Sequence, residues 1–198
     1  MHEKPDHYAR KAKQQGYPAR SVFKLQEIQQ KFQMIKPGMN VLDIGASPGS
    51  WSLYVLRILK KRGSVTAVDL SPEHPNIEAE PYKFLQGDAF SPEIIEQIGG
   101  YGVFNLILSD VAPSTSGSRT VDAARSYTLA EQAIELSSRM LALDGNLVVK
   151  IFQGPDHMDL FKRIQSMFQS AKSLKPQASR KKSIEIFFVG LRKRKDPV

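Results

Sequence analysis

Three ionisable side chains, Lys150, Glu185 and Asp110, each lie within or directly after a run of large aliphatic and aromatic residues. A buried charge is costly unless a partner neutralises it, so residues of this kind are expected to pair with one another. Any one of them alone would fit a structural ion pair, or a side chain that reaches water at a strand end. The three together favour a reactive site.

The elements that must position these residues alternate along the chain. Apolar runs predict strands at 40–45, 65–69, 82–87, 103–109, 147–152, 171–176 and 184–191. Helical periodicity predicts helices at 6–33 (with a break at 16–18), 49–60, 91–98, 121–143 and 155–168. This alternation predicts a doubly wound, Rossmann-like α/β sheet that is mostly parallel, with helices on both faces. The last two strands leave no room for a helix between them and should form a hairpin that adds one antiparallel strand.

These elements are expected to form one domain over 1–198, with an N-terminal helical extension at about 6–36 and a core at about 37–192. The chain has no cysteine, which excludes disulfides and thiolate metal sites, and its four histidines are scattered, so no metal is expected. No apolar run approaches the ~20 residues that a membrane helix needs. We therefore expect no membrane contact and a location in the cytoplasm or in an organelle matrix. We also expect a monomer.

The turn after the first strand has the composition of a ligand-binding loop. Ligands of such sheets bind outside the carboxyl ends of the strands, and the small residues at 45–49 let the backbone approach a ligand closely. The loop lacks the G-x-G-x-x-G pattern, and Pro48 supplies no N–H for a phosphate. A ligand without a pyrophosphate is therefore favoured over a dinucleotide.

Carboxylates stand at the ends of four predicted strands: Asp43, Asp69, Asp88 and Asp110. Asp69 could accept hydrogen bonds from ribose hydroxyls, and Asp88 could bind an adenine amino group. Carboxylates also suit a cofactor that carries sulfonium and ammonium charges. The arrangement resembles a class I S-adenosylmethionine methyltransferase.

Five stretches make a more specific resemblance possible. Residues 20–25, 109–113, 148–154 and 183–185, together with the loop at 45–51, are similar to the motifs of the FtsJ family of heat-shock ribosomal RNA methyltransferases. The resemblance implies a Lys-Asp-Lys-Glu catalytic tetrad and a cofactor loop, and the loop more often has alanine where Ser47 stands. The residues implied are Lys24, Asp110, Lys150 and Glu185 for the tetrad, and Gly45, Ser47, Pro48, Gly49 and Trp51 for the loop. Trp51 is more typical of a packing residue at a helix start, although it could also line the cofactor pocket.

The resemblance implies methylation of a ribose 2′-hydroxyl of RNA. That hydroxyl is a poor nucleophile, so a group must orient it and take its proton, and an amine does so only when neutral. Desolvation and a second lysine nearby favour the neutral form. We expect Lys150 to be the base or orienting group and Asp110 to position it. Lys24 and Glu185 would hold the hydroxyl and the lysine in line with the methyl group.

Basic residues are concentrated at the two ends of the chain, which has a net charge of +8 and a pI of about 9.6. This distribution favours a polyanionic partner over a merely basic protein. Arg10, Lys11, Lys13 and Arg20 are candidates for phosphate contacts. The other basic residues of the two clusters are Lys4, Lys24 and Lys31 near the start, and Lys172, Lys175, Arg180, Lys181, Lys182, Arg192, Lys193, Arg194 and Lys195 near the end.

Several substrates and functions remain open from the sequence. The short chain favours a uridine of large-subunit (23S-type) ribosomal RNA on the assembled subunit, with a tRNA anticodon loop or an mRNA cap as alternatives. A non-catalytic RNA-binding factor for ribosome assembly would keep the fold but would not need charged residues in apolar strands. A nicotinamide-dependent oxidoreductase is disfavoured because the phosphate loop is missing.

Overall fold

The computed structural model describes residues 7–72, 77, 81–180 and 182–195. Lys4 and Lys181, two of the basic residues noted above, lie outside the described residues. The strands are β1 Met39–Ile44, β2 Gly63–Asp69, β3 Tyr82–Gln86, β4 Phe104–Ser109, β5 Leu141–Phe152, β6 Phe168–Leu174 and β7 Glu185–Lys193. The helices are α1 His7–Gln14, α2 Val22–Phe32, α3 Ser50–Leu59, α4 Pro92–Gly99, α5 Arg119–Met140 and α6 His157–Met167. None of these helices is long and apolar enough to cross a membrane.

The described strands form a single sheet in the order β3-β2-β1-β4-β5-β7-β6. The pairs β1–β2, β2–β3, β1–β4 and β4–β5 are parallel, whereas β7 is antiparallel to both β5 and β6. The predicted doubly wound sheet and its closing hairpin are therefore confirmed. The strand order reverses between β1 and β4, and a crevice opens at such a switch point beyond the carboxyl ends of the strands.

Helices cover both faces of the sheet because its central strands are apolar on both sides. On one face α2 and α3 bury residues such as Leu25 and Leu59 against the strands. On the other face α4, α5 and α6 bury residues such as Ile98, Ile134 and Ile164. An unpaired charge in a fully buried strand is energetically costly, so the ionisable groups within these strands require partners.

The predicted bounds are wrong chiefly where α5 meets β5 and where α6 meets β6, since β5 begins six residues and β6 three residues before the predicted starts at 147 and 171. The prediction of one helix over 121–143 is corrected by the structure, since α5 ends at Met140 and residues 141–143 already belong to β5. A bulge makes this early start possible, because Leu141 pairs with Phe104 but Asn146 pairs with Leu106. Asp144 lies in the bulge with φ of 58°. Similarly, α6 ends one residue before the predicted limit, and β6 begins at its buried phenylalanine.

A buried lysine secures the junction between α5 and β5. Lys193 is 7% exposed, and its Nζ donates to the carbonyl oxygens of Ser138 at 2.5 Å and Leu141 at 3.1 Å. Carbonyls at a helix C-terminus lack partners within the helix, and a cation is favoured there. Lys193 therefore stabilises the end of α5 from the last strand of the chain.

Replacing this lysine should destabilise the fold. We expect Lys193→Met to lower the free energy of unfolding by about 1–3 kcal/mol, because two buried carbonyls lose a charged donor. Denaturant titration followed by circular dichroism measures the change. The matched variant Lys195→Met, at an exposed position, should change it by less than about 0.5 kcal/mol. Equal effects of the two substitutions would contradict the capping role.

Candidate active site

The first pair of ionisable groups joins β5 to the end of β4. Lys150 Nζ lies 2.8 Å from Asp110 Oδ1 and also donates to the Asp110 carbonyl oxygen at 2.5 Å. The two side chains are 7% and 16% exposed. The Asp110 carbonyl thus accepts the hydrogen bond of the amine, and the Asp110 carboxylate supplies an ion-pair contact beside it. The predicted positioning of Lys150 by Asp110 agrees with this contact.

The second pair joins α2 to the beginning of β7. Lys24 Nζ lies 2.7 Å from Glu185 Oε1, with exposures of 13% and 10%, and 5.8 Å from the centre of the Phe187 ring. Burial alone would raise the pKa of Glu185, but the charge and hydrogen bond of Lys24, assisted by the charge of Lys150, outweigh it and lower that pKa. Glu185 is therefore held in its ionised form.

The sheet register brings the two pairs together on one face. Lys150 lies opposite Phe187, and Glu185 lies opposite Phe152, in the antiparallel β5–β7 ladder. Cross-strand partners project to the same side of a sheet, so Lys150 and Glu185 share the face that α2 covers. The four predicted tetrad residues therefore lie near one another, although they come from α2, the end of β4, β5 and β7.

The crevice beside the tetrad contains a carboxylate with an unusual environment. Asp43, at the end of β1, is fully buried, and its Oδ2 accepts a hydrogen bond of 2.6 Å from the Ser52 hydroxyl. Its Oδ1 is buried and has no hydrogen-bond partner among the described residues. Burial raises the pKa of Asp43 to about 7; the charges of Asp110 and Asp69 act in the same direction, and the Ser52 hydrogen bond opposes them.

The loop after β1 follows a path that only glycine permits at two points. Gly45 has φ of +75°, and a Cβ there would lie 2.8 Å from the Val111 side chain. Gly49 has φ of +97° and caps α3. The loop is held further by Ser47, whose N–H donates to Asp69 Oδ2 at 2.9 Å. The predicted cofactor loop, including Pro48 between these residues, is therefore a rigid turn at the switch point.

Three predicted cofactor residues have contacts of their own within the chain. The other oxygen of Asp69 accepts from the Ser71 N–H at 2.7 Å, so Asp69 stabilises two backbone segments. Asp88 is exposed and accepts from the Phe90 N–H at 3.0 Å. Trp51 is 3% exposed, and its indole N–H donates to the Ser21 carbonyl at 2.9 Å. The packing interpretation of Trp51 is thus the one that its contacts support, while its contact with a cofactor stays a prediction.

The predicted phosphate-binding residues lie in two different environments. Arg10, Lys11 and Lys13 are exposed on α1. Arg20 is partly buried, and its guanidinium donates to the Ala178 carbonyl at 2.5 Å. Arg20 therefore also ties the N-terminal helices to the loop between β6 and β7.

Sequence reasoning missed two residues that shape the site. The Ser52 hydroxyl donates the hydrogen bond to the buried Asp43, and nothing in its sequence context indicates this role. The carboxylate of Glu27 accepts from the backbone N–H groups of Gln177 and Ala178 at 2.7 and 2.8 Å. The sequence did contain an indication of this role, because a single carboxylate in the middle of a helix with basic residues is expected to have a partner.

Taken together, the fold and the site define a class of protein. A mostly parallel sheet closed by an antiparallel strand, with acidic residues at the strand ends and a glycine turn at the switch point, is the architecture of Rossmann-like methyltransferases. The family model described as "FtsJ-like methyltransferase" matches residues 17–193. The chain belongs to the FtsJ-like methyltransferase family.

Relatives and solved structures agree with this assignment. Ribosomal RNA large subunit methyltransferase E of Treponema denticola is 43% identical over 190 residues, which cover 96% of each chain. The protein of that name from Borrelia garinii is 45% identical over 96% of this chain and 97% of its own. A Plasmodium falciparum structure provisionally assigned as a ribosomal RNA methyltransferase is similar in fold, with a TM-score of 0.80, 24% identity, and coverage of 89% of this chain and 98% of that one.

S-adenosylmethionine is the cofactor of this class of methyltransferase. The buried Asp43 oxygen, which has no hydrogen-bond partner among the described residues, is suited to a cationic group, and Gly45 packs against Val111 with no room for a side chain. Among the described residues no cluster of three or more metal-ligating side chains occurs. We infer that the strand-end carboxylates and the loop would hold this cofactor.

The raised pKa of Asp43 makes the stability of the protein depend on pH. Its carboxyl binds a proton more tightly in the folded state than in the unfolded chain, so stability falls as the pH rises from about 4 to about 7. Between pH 5 and pH 8 this single group should remove about 2–3 kcal/mol of unfolding free energy. We expect Asp43→Asn to flatten the pH dependence by that amount.

Denaturant titrations at several pH values measure this effect without any cofactor. The matched variant Asp88→Asn, which removes an exposed carboxylate at another strand end, should keep the wild-type slope. Parallel curves for Asp43→Asn and the wild type would contradict the assignment.

Proposed function

We propose that this protein transfers a methyl group from S-adenosylmethionine to a ribose 2′-hydroxyl of large-subunit ribosomal RNA. The observation that carries the proposal is the Lys150–Asp110 contact of 2.8 Å, placed on the same sheet face as the Lys24–Glu185 pair of 2.7 Å. Two buried lysines, each with its own carboxylate, are more than the stability of a sheet requires, because hydrophobic residues would fill the same space at lower cost. They suit a reaction that must orient a hydroxyl.

The names of the relatives support the choice of substrate. Proteins that are 43–45% identical over nearly the full chain are called ribosomal RNA large subunit methyltransferase E. We propose a uridine of 23S-type RNA in the assembled subunit as the acceptor. The reaction would then take place where ribosomes are assembled, which is the cytoplasm of a bacterium or the matrix of an organelle.

The residues of this chain have separable roles in the proposed reaction. S-adenosylmethionine, when bound, would supply an electrophilic methyl group that passes to the ribose oxygen as its bond to sulfur breaks. Lys150 Nζ, held by Asp110, orients the hydroxyl and, when neutral, accepts its proton. Lys24 and Glu185 fix the position of the ribose beside that amine. Alignment of oxygen, methyl carbon and sulfur supplies much of the acceleration.

Methyl transfer to isolated ribosomal subunits tests the proposed reaction. Large subunits from a strain that lacks the protein are incubated with labelled S-adenosylmethionine, and the RNA is digested to nucleosides. We expect label in a single 2′-O-methyluridine. Label in tRNA alone would retain the chemistry and contradict the substrate, and label in neither RNA despite cofactor binding would favour the non-catalytic factor.

Removal of the central amine should slow methyl transfer strongly and leave cofactor binding nearly unchanged. For Lys150→Ala we expect the single-turnover rate to fall roughly 100- to 10,000-fold, the range that a positioned acid–base group contributes. The dissociation constant for S-adenosylmethionine, measured by calorimetry, should change by less than about threefold, since the amine contacts Asp110 and not the Asp43 loop.

The variant Lys172→Ala provides the matched control, because this lysine is exposed on β6. It should retain the wild-type rate. A Lys150→Ala protein that is folded, binds the cofactor and keeps more than a tenth of the rate would contradict the role of Lys150.

A further inference from the structure

A small cavity adjoins the Lys24–Glu185 pair and is not accounted for by the tetrad. It has a volume of about 260 Å³ and lies between the beginning of α2 and the loop that connects β6 to β7. Its volume is below the roughly 300–1,000 Å³ of pockets for drug-sized ligands, so it suits one compact group. The residues that line it are Arg20, Ser21, Lys24, Ala178, Arg180, Ser183 and Glu185.

The loop wall of this cavity is fixed to α2. Glu27 accepts hydrogen bonds from two successive N–H groups, those of Gln177 and Ala178, at 2.7 and 2.8 Å. The guanidinium of Arg20 donates to the carbonyl of Ala178 from the same helix. Because both sides of this peptide segment are held, Arg180, two residues further on, is presented at a defined edge of the cavity.

The charges around the cavity favour an anion. Three of the lining side chains are cationic and one is acidic, and that one, Glu185, is already engaged by Lys24. The guanidinium of Arg180 makes no hydrogen bond or ion pair within the described part of the chain. The pKa of Arg20 is lowered by its burial and by the nearby charge of Arg180, while Glu185 acts in the opposite direction. An anion beside Arg180 would relieve this repulsion.

The hydroxyl groups of the cavity are suited to the same ligand. Ser21 precedes α2 but forms no side-chain capping hydrogen bond, so its hydroxyl remains available to the cavity. Ser183 Oγ accepts from the Glu185 N–H at 3.2 Å, which leaves its proton to donate. Two hydroxyls and a planar guanidinium match the several acceptor oxygens of a phosphodiester.

We propose that this cavity is a phosphodiester subsite, in which Arg180 binds the RNA phosphate next to the acceptor ribose. The inference rests on the proposed function, because it takes RNA as the substrate. Its position beside Lys24 and Glu185 means that a bound phosphate would place the neighbouring ribose at the tetrad. Phosphate contacts of this kind position a nucleic acid without reading its sequence.

The test compares the variant Arg180→Ala with Lys182→Ala, which removes an exposed charge from the same loop but does not line the cavity. Steady-state methylation of unmodified large subunits is measured at several salt concentrations. For Arg180→Ala we expect KM to rise about tenfold at constant kcat, as for one lost hydrogen bond to a charged group. The slope of log KM against log salt should fall by about 0.9, the effect of one phosphate contact.

The control variant and the cofactor provide the contrasting outcomes. Lys182→Ala should change KM by less than threefold, and both variants should keep the wild-type dissociation constant for S-adenosylmethionine and the wild-type melting temperature. Equal changes in KM for the two variants would overturn the proposal, because they would reveal only a general charge effect. Weaker cofactor binding by Arg180→Ala would also overturn it and would assign the arginine to the cofactor. A wild-type protein that methylates no ribosomal RNA would refute the proposed function itself.

Discussion

The need to neutralise two lysines in apolar surroundings determines how the active region is assembled. Lys150 is 7% exposed within a strand whose neighbours are fully buried, and Lys24 has a side-chain exposure of only 13%. An uncompensated charge in either place would cost several kcal/mol, and each carboxylate lies on a different element from its lysine. The contacts therefore require β4, β5, β7 and α2 to occupy their observed relative positions. The ion pairs that lower the cost of burying the lysines also fix the orientation of their amines.

The sheet topology connects this region to the cofactor crevice. Asp43 and Asp110 end the adjacent strands β1 and β4, so the carboxylate that holds Lys150 also raises the pKa of the carboxylate in the crevice. A cationic cofactor would favour the ionised form of Asp43 and thereby relieve part of the cost of burying it. The crevice is thus complementary to positive charge, and the cavity beside Lys24 is complementary to negative charge. The methyl donor and the RNA acceptor would therefore bind to regions of opposite charge.

Much of this arrangement could be predicted from the sequence because its signals are local. Strand–helix alternation predicted the sheet and its antiparallel hairpin, and charged residues in apolar runs predicted paired groups. The contact of Lys150 with Asp110 was expected only from the family resemblance. The pairing of Lys24 with Glu185 could not be predicted, because only the docking of α2 brings Lys24 to Glu185. The bulge at the start of β5 and the hydrogen bonds of Glu27 to the loop between β6 and β7 also depend on contacts between distant segments. Trp51 illustrates a side chain whose packing role was foreseen from its place at a helix start, but whose hydrogen bond to Ser21 depends on where the N-terminal segment docks.

In the proposed reaction Lys150, held by Asp110, orients the acceptor hydroxyl. A crystal structure with S-adenosylhomocysteine and an RNA that contains the acceptor nucleotide tests it most directly. We expect the ribose O2′ to lie about 2.6–3.2 Å from Lys150 Nζ, within hydrogen-bond reach, while the contact with Asp110 persists. An acceptor oxygen beyond the reach of this amine, with the ribose bound elsewhere on the protein, would contradict this role of Lys150.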